Sequence, residues 1–143
     1  AERGELARHF GCEWREGTSD LLEMVAAQLE GYFSGARTTF DIPTNAPGTP
    51  NQRHVWAQLR RIPFGETITY AALARRVGNP RASRAVGGAN GRNRIAIVTP
   101  CHRVVSSGGL GGYAGGLDRK RQLLAHERDM RSSIFVEHAQ SLA

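Results

Sequence analysis

The sequence predicts a mixed α/β fold in two parts, a small α+β portion followed by a mainly helical portion. Three observations indicate this division. Helix-capping signals are dense after residue 49, apolar and polar residues alternate over residues 38–42, and a stretch rich in Pro, Gly and Thr runs from Pro43 to Pro50 between the two. We therefore assign residues 1–48 to the first portion and its linker, 49–130 to the second portion, and 131–143 to a weakly ordered tail.

The first portion contains signals for two helices and one strand. A short helix is expected over Glu5–Phe10, and Asp20 followed by Glu23 begins a clearer helix that Gly35 ends. Residues 38–42 alternate as a short edge strand would. The second helix is expected to bury one apolar stripe, formed by Leu21, Leu22, Val25, Leu29, Tyr32 and Phe33, and Trp14 is expected in the core.

The second portion begins with three capped helices, predicted over residues 50–61, 70–77 and 80–89. Thr49-Pro50-Asn51-Gln52 has the pattern of a capping box with proline at the first helical position. Thr69 is placed to cap the second helix and Asn79 the third. The last two helices, joined across a three-residue turn, are typical of a helix-turn-helix, although Arg84 stands where that motif usually has an apolar residue. This portion should fold around Trp56, Leu59, Leu73, Val86 and Val98.

After these helices, Ile95–Val98 is predicted as a short buried strand leading into Thr99-Pro100-Cys101. The glycines of residues 108–116 predict a mobile or sharply turned loop around Tyr113. Helical spacing resumes over residues 117–127. There the basic trio Arg119-Lys120-Arg121 is interpreted as a solvated helix face.

Charge is unevenly distributed along the chain. Residues 1–42 carry a net charge of −4 and residues 43–143 a net charge of +10, so a polyanion is the expected partner of the second portion. No apolar run is long enough for a membrane span and no leader pattern opens the chain, so we expect a cytosolic compartment. The two cysteines, Cys12 and Cys101, cannot form a disulfide-rich scaffold or a four-thiolate zinc site.

Cys101 is the candidate nucleophile. His102 is adjacent and Glu127 follows in a later helix, which permits a relay in which histidine takes the thiol proton and the carboxylate orients the histidine. Because successive side chains of an extended strand point to opposite faces, His102 should reach the sulfur through a water molecule. The remaining histidines lack metal-ligand spacing, and this chemistry needs no cofactor.

The segment Pro100-Cys101-His102-Arg103-Val104 resembles the active-site signature of the O6-alkylguanine-DNA alkyltransferases. Three flanking segments are similar to this family in the same order. They are Phe64-Gly65-Glu66-Thr67 with Tyr70, Gly78-Asn79-Pro80 through Arg84-Ala85-Val86-Gly87, and Tyr113-Ala114-Gly115-Gly116-Leu117. The resemblance covers about residues 28–128 and implies a winged-helix-like DNA-binding and active-site domain. It makes residues 1–48 a truncated remnant of the family's N-terminal α/β domain and linker.

The resemblance implies stoichiometric repair by a monomer without cofactor, metal or protein partner. Duplex DNA is bound, O6-alkylguanine (and O4-alkylthymine) is flipped out, and the alkyl group moves irreversibly to Cys101. His102 would be the water-mediated base, Glu127 its carboxylate partner and Asn93 the hinge beside the thiol. Tyr70 would crowd the target phosphate and donate a proton to the departing guanine.

Further roles implied by the resemblance concern DNA and the base pocket. Arg84 would fill the vacated stack, and a helix with small residues would enter the minor groove. Tyr113 and the Ala114 amide would form the pocket wall and the O6 contact, and the carbonyls of Cys101 and Val104 would accept from the exocyclic amine. The small residues expected to allow a close approach to DNA are Ala82, Ser83, Ala85, Gly87 and Gly88.

Three alternatives stay open at this level. An alkyltransferase-like protein would bind the lesion without transfer, but such proteins lack the acceptor cysteine that this chain has at Cys101. A helix-turn-helix regulator would contain the cysteine incidentally, and a cysteine hydrolase would use the same relay for turnover. Arg94 stands where many relatives of the resembled family have proline, which puts the rigidity of the loop before Cys101 in question.

Overall fold

The computed structural model describes residues 2–142, which form two compact units divided between Pro47 and Gly48. The N-terminal unit contains helices α1 (Glu2–Phe10) and α2 (Asp20–Ser34). The C-terminal unit contains, in order, α3 (Pro50–Leu59), β1 (Ile68–Thr69), α4 (Tyr70–Arg76), α5 (Ser83–Gly91), a 3₁₀ helix (Cys101–Arg103), β2 (Val104–Val105) and α6 (Leu117–Ser141). The mixed, helix-rich class is therefore as predicted. None of the helices within residues 2–142 combines the length and apolar character that crossing a bilayer takes.

In the N-terminal unit, α2 has well-defined ends. The Ser19 hydroxyl accepts a hydrogen bond from the backbone N–H of Leu22 at 3.3 Å, and Gly35 closes the helix in the left-handed conformation with φ 82°. The predicted apolar stripe is only partly buried, because Tyr32 is covered while Leu21, Leu22 and Phe33 are exposed. The prediction of a core position for Trp14 is wrong, since 58% of its surface is exposed.

The predicted edge strand at residues 38–42 is also wrong. The Gln28 side chain occupies the backbone groups that a neighbouring strand would need, since its Nε2 donates to the Asp41 carbonyl at 3.1 Å. Its Oε1 accepts from the Asp41 N–H at 2.8 Å. A side-chain amide reproduces the donor and acceptor of a peptide group, so this segment is held in place without a strand partner.

The core of the C-terminal unit lies where α3 and α4 pack against α5. The capping box predicted at Thr49 is present, and α3 buries Val55, Trp56 and Leu59 as expected. Trp56 also donates its indole N–H to the Ala89 carbonyl of α5 at 2.9 Å, which joins two helices 33 residues apart. Leu73 and Val86 are buried as predicted, while Val98 is only partly buried.

Helix α4 begins after its predicted cap, Thr69, but α5 begins later than predicted. Residues 79–82 form a turn in which the Ala82 N–H bonds to the Asn79 carbonyl, so Asn79 does not cap the helix. Helix α5 starts at Ser83 with no side-chain cap. The Asn79-Pro80 pair therefore begins a backbone-bonded turn before α5, and not the helix itself.

The segment before Cys101 is a series of turns, so the predicted strand at Ile95–Val98 is wrong. Two backbone bonds close these turns, from Thr99 N–H to the Ile95 carbonyl and from Val98 N–H to the Ala96 carbonyl. Ile97 has φ 71°, which no extended strand can contain. The sheet instead pairs β1 with β2 in parallel, with Ile68 opposite Val104.

Helix α6 is longer than predicted. It continues without a break through Ser141, although its side chains from Ser132 onward are exposed. The part of residues 131–143 up to Ser141 is thus helical, and the weak order predicted for this tail stays a prediction. Arg131 contributes to this continuation, because its guanidinium pairs with Glu66 at 3.0 Å and lies over the Phe135 ring.

Candidate active site

Cys101 is presented by a tight turn of backbone. Pro100 precedes the 3₁₀ helix, the Arg103 N–H bonds to the Pro100 carbonyl, and β2 begins at the next residue. This differs from the expected extended strand, in which Cys101 and His102 would point to opposite faces. The cysteine is 6% exposed and lines a cavity of about 250 Å³.

Asn93 holds the sulfur in place. Its Nδ2 donates to Cys101 Sγ at 3.1 Å and to the Thr99 carbonyl at 2.7 Å, while its Oδ1 accepts from the Ile95 N–H at 3.1 Å. The side chain therefore joins the turn before Cys101 to the cysteine itself. Burial raises the pKa of the Cys101 thiol, and donation from Asn93 partly opposes that rise.

His102 and Glu127 form a buried pair behind the cysteine. His102 Nε2 lies 2.7 Å from Glu127 Oε1, and both side chains are fully covered. A carboxylate only accepts hydrogen bonds, so Nε2 carries the proton and Nδ1 of the neutral ring has the free lone pair. Among residues 2–142, this Nδ1 has no hydrogen-bond partner, the Cys101 sulfur included. A proton passing from Cys101 to His102 thus needs an intermediary.

Arg103 completes this cluster, a role that its sequence context did not predict. Its Nε and one terminal nitrogen donate to the two oxygens of Glu127 at 2.8 and 2.9 Å, and its other terminal nitrogen donates to the Ile62 carbonyl at 2.6 Å. The Gly65 N–H is a further donor to Glu127, at 3.1 Å. Although burial favours the protonated acid, the hydrogen bonds from His102 and Arg103 lower the pKa of Glu127 to about 2.

Lys120 is a further component of the site that was not correctly placed from the sequence. Arg119 and Arg121 are exposed, as the predicted solvated helix face requires, but Lys120 is completely buried and contradicts that prediction. Its ammonium donates to the Val104 carbonyl of β2 at 2.6 Å and to the Gly112 carbonyl of the glycine-rich loop at 3.0 Å. A signal was present in the sequence, because Lys120 shares the spacing of Leu123 and Glu127 along one helical face.

The electrostatics of Lys120 and Cys101 are linked. Burial lowers the pKa of Lys120, and the nearby Cys101 sulfur, when ionised, raises it. In the reciprocal direction, the Lys120 ammonium is one of the groups that lower the pKa of the Cys101 thiol. The cation therefore stabilises the ionised form of the sulfur.

The cavity brings together most of the predicted site residues. Tyr70 and Tyr113 stand in its wall with Asn93 and Cys101, and burial raises the pKa of both phenols, which keeps them protonated donors. Val104 does not line the cavity, and its carbonyl already accepts from Lys120. The complete lining is Tyr70, Gly87, Asn90, Gly91, Asn93, Ala96, Cys101, Gly112, Tyr113, Ala114 and Gly115.

One glycine of the loop is required by close packing against Tyr70. Gly111 has φ 68°, and a Cβ atom added to it would lie 2.8 Å from the Tyr70 ring. The Tyr70 hydroxyl also donates to the Gly112 carbonyl at 3.4 Å. The loop and the start of α4 can thus close on one another only because residue 111 has no side chain.

A second, open depression lies on another face of α5. It has a volume of about 700 Å³, and three arginines surround it. Arg84, Ala82 and Ala85 line this groove, whereas Gly87 belongs to the cavity and Ser83 lines neither. The groove residues are Thr49, Asn51, Gln52, Arg81, Ala82, Arg84, Ala85, Gly88, Ala89 and Arg92. Helix α5 therefore separates a basic groove from the cavity that holds Cys101.

No group of three His, Cys, Asp or Glu side chains in the described part of the chain is arranged to hold a metal ion. The polar groups at the cavity are instead a thiol, two phenols and two asparagine amides. This set can supply a nucleophile and proton donors around a ligand of one ring system, since the volume lies just below the roughly 300 Å³ at the small end of ligand pockets.

The chain is similar to known proteins over most of its length. Residues 50–129 match the family model described as "6-O-methylguanine DNA methyltransferase, DNA binding domain". A methylated-DNA--protein-cysteine methyltransferase of Mycolicibacterium paratuberculosis is 57% identical over 102 residues, 71% of this chain and 62% of the relative. One of Methanosarcina acetivorans is 50% identical over 115 residues, 80% of this chain and 73% of the relative.

A solved structure is similar over much of the chain. The crystal structure of Mycobacterium tuberculosis OGT in complex with DNA aligns with a TM-score of 0.75 and 47% identity. The alignment covers 76% of this chain and 68% of that one. The chain spans less than two thirds of the mycobacterial relative's length and nearly three quarters of the archaeal one's.

Proposed function

The chain belongs to the O6-methylguanine-DNA methyltransferase family, and we propose on that basis that it repairs alkylated DNA by accepting the alkyl group of O6-alkylguanine on Cys101 in a single turnover. O4-alkylthymine is a second proposed substrate. The observation that carries the proposal is the placement of the Cys101 sulfur in the wall of a base-sized cavity, held by Asn93 and backed by His102 and Glu127.

The first step in this mechanism is removal of the thiol proton. Because burial raises the pKa of Cys101, the resting sulfur is protonated and needs a base. His102 Nδ1 has the free lone pair, and a bridging water would carry the proton to it. Glu127 stabilises the imidazolium that results, while Lys120 and Asn93 stabilise the thiolate.

The second step is displacement at the alkyl carbon. A sulfur–carbon bond forms, the bond from that carbon to guanine O6 breaks, and the electron pair leaves on guanine. Tyr70, whose phenol is kept protonated by burial, donates a proton to the guanine anion, and the thiol proton held by His102 restores the overall balance. The resulting thioether cannot react again, so one molecule repairs one lesion.

The groove on α5 is the proposed DNA-binding surface, with α4 and α5 acting as the helix-turn-helix of a winged-helix-like domain. Arg84 is exposed at its edge and is proposed to occupy the space that the extruded base leaves. The small side chains of Ala82 and Ala85 would let the duplex approach, and Arg81 and Arg92 would contact phosphates.

The cavity and the groove both lie within residues 49–130, which we propose as the alkyltransferase domain. No step of this mechanism uses a cofactor or a second copy of the chain, so the active species is proposed to be a monomer. The proposed place of action is the compartment that holds the cellular DNA, which is the cytoplasm in a bacterial cell and the nucleus in a eukaryotic one.

Incubation with O6-benzylguanine tests the transfer. Intact mass and peptide mapping should show one benzyl group on Cys101, no product beyond one equivalent, and no modification of the Cys101→Ser variant. Cys12→Ser is the matched control, because Cys12 is an exposed cysteine that should not affect the reaction. Continued release of product would identify a hydrolase, and an unmodified protein that binds lesion-containing DNA would identify a binding protein.

Arg84→Ala tests the DNA surface in the same assay. We expect repair of a duplex containing O6-methylguanine to slow by about tenfold or more, because the variant lacks the side chain that replaces lost stacking. Reaction with free O6-benzylguanine should stay unchanged, since no duplex must be opened. Equal losses on both substrates would remove Arg84 from this role.

A further inference from the structure

One polar side chain in the wall of the cavity, that of Asn90, has no function in the mechanism described above. Asn90 lies in the last turn of α5 and is 4% exposed. Its Nδ2 donates to the Cys101 carbonyl at 3.3 Å, but its Oδ1 is buried and accepts no hydrogen bond from the described residues. An unsatisfied buried acceptor is destabilising, so its retention calls for a partner that a ligand could supply.

The contact with the Cys101 carbonyl decides which end of this amide is oxygen and which is nitrogen. If the amide were turned by 180°, its oxygen would face the Cys101 carbonyl, and two acceptors would repel each other. The Asn90 amide also lies near the Tyr70 hydroxyl, where it opposes the rise that burial causes in the pKa of that phenol. Asn90 therefore stands between the two groups assigned to the reaction, the Cys101 backbone and the Tyr70 hydroxyl.

The ligand chemistry that fits a lone acceptor is a hydrogen-bond donor. Alkylation at O6 removes the proton from N1 of guanine, so the exocyclic 2-amino group is the donor that remains on the base edge. O4-alkylthymine has no N–H donor on its base. The family resemblance assigns this amine to the carbonyls of Cys101 and Val104, and the Asn90 side chain adjoins the first of these through its Nδ2.

We propose that Asn90 Oδ1 accepts a hydrogen bond from the 2-amino group of the extruded guanine and makes the cavity select purines that carry this amine. The inference rests on the proposed function, and it names the group that sets the base preference of the same cavity. A small rotation about χ2, a soft torsion for asparagine, directs the oxygen toward a bound base. The same contact disfavours O4-alkylthymine, which would leave the acceptor unpaired.

Two free bases that differ only at position 2 test this assignment. The rates of benzyl transfer to Cys101 are measured by intact mass for O6-benzylguanine and for 6-benzyloxypurine, which lacks the amine. The ratio of the two rates is compared between the wild type and Asn90→Leu. Differences in leaving-group chemistry cancel in this comparison, as does any general effect of losing the Nδ2 contact to the Cys101 backbone.

We expect the wild type to prefer O6-benzylguanine and Asn90→Leu to lower that preference by about tenfold, the equivalent of one buried hydrogen bond. Asn45→Leu makes the same substitution on an exposed asparagine outside both the cavity and the groove and should leave the preference unchanged. Asn90→Met is the second variant, used if circular dichroism shows Asn90→Leu to be unfolded.

An unchanged preference in a folded Asn90 variant that still transfers benzyl would overturn the role of Asn90 and leave the proposed function intact. Absence of transfer from either base in the wild type would overturn both proposals together. A wild type that reacts equally with the two bases would likewise remove the selection by the amine, while confirming transfer to Cys101.

Discussion

Glu127 and Lys120 project from the same helix seven residues apart and are both completely buried, but their charges are balanced in different ways. Glu127 is surrounded by charged and polar donors, with both its oxygens paired to Arg103 and one to His102. Lys120 donates to two neutral carbonyls, those of Val104 and Gly112.

The difference between these two sites indicates two functions for buried charge. The Glu127 cluster joins α6 to the 3₁₀ helix and to the turn at Gly65, so it fixes the backbone that carries Cys101. Lys120 has only neutral carbonyls as hydrogen-bond partners. The ionised Cys101 sulfur is the anion that raises the pKa of Lys120. The first site therefore provides rigidity, and the second responds to the charge on the sulfur.

The largest expected effect follows from removing the carboxylate charge of the first site. Glu127→Gln should reduce the free energy of unfolding by about 3–5 kcal/mol, because Arg103 would remain buried without its counter-charge. Urea denaturation measures this change. Asp118→Asn, which disrupts the exposed pair with Arg121, is the matched control and should cost less than about 1 kcal/mol. Similar losses in the two variants would show that the Glu127 cluster is not a structural junction.

Acid titration tests the same carboxylate without removing it. Its pKa is lower in the folded chain, about 2, than its ordinary value of 4.5, so the stability it contributes is present above pH 4.5 and is lost as the pH falls toward 2. The wild type should lose about 3 kcal/mol more than Glu127→Gln across this range. Urea midpoints at pH 6, 4.5, 3 and 2 give the comparison, and parallel curves for the two proteins would contradict the assignment.

A smaller effect is expected from Lys120→Met, and mainly on reactivity. The unfolding free energy should fall by about 1–2 kcal/mol, since two carbonyls lose a donor. The pKa of the Cys101 thiol should rise, because the variant lacks the ammonium that favours the thiolate, and its reaction with iodoacetamide near neutral pH should slow several-fold. The rate is measured against pH in a Cys12→Ser background.

Arg121→Met provides the control for Lys120→Met, because Arg121 is the adjacent basic residue and its side chain is exposed. Its thiol pH profile should match that of the wild type. If the pH dependence of the Cys101 reaction is the same in Lys120→Met as in the wild type, Lys120 contributes to packing alone. The two buried charges on α6 would then not differ in function.

The helices that could be predicted from sequence are those whose ends depend on near neighbours. Thr49 and Thr69 cap α3 and α4 by bonding to backbone groups three residues away, and Gly35 ends α2 in a conformation that glycine adopts readily. Such signals are local, so no knowledge of the rest of the fold was needed. The start of α5 was misplaced because backbone bonds of the 79–82 turn replaced the cap expected from Asn79.

The strands could not be predicted in the same way, because a strand requires a partner that the alternation pattern does not identify. Residues 38–42 and 95–98 have suitable patterns but are bonded by a side chain or by local turns. The observed pair, β1 with β2, joins residues 36 positions apart through only two residues on each side. Nothing in so short a run distinguishes it from a loop.

The candidate site was predicted through the motifs, and the cavity does contain Cys101, Asn93, Tyr70 and Tyr113 together. Two of its charged components were missed or misplaced. Arg103 was part of the quoted motif without a role, and Lys120 was assigned to solvent on the basis of its charged neighbours, although its spacing from Leu123 and Glu127 indicated the covered face of α6.

The sequence by itself determined the helix caps, the family motif and the candidate nucleophile, because each depends on residue types within a few positions of one another. Only the tertiary structure decided which buried charges meet. The pairing of Arg103 with Glu127 joins residues 24 positions apart. Lys120 is buried because the glycine-rich loop lies over its ammonium. Electrostatic interactions of this kind depend on distance and on the exclusion of water, and both are properties of the folded chain.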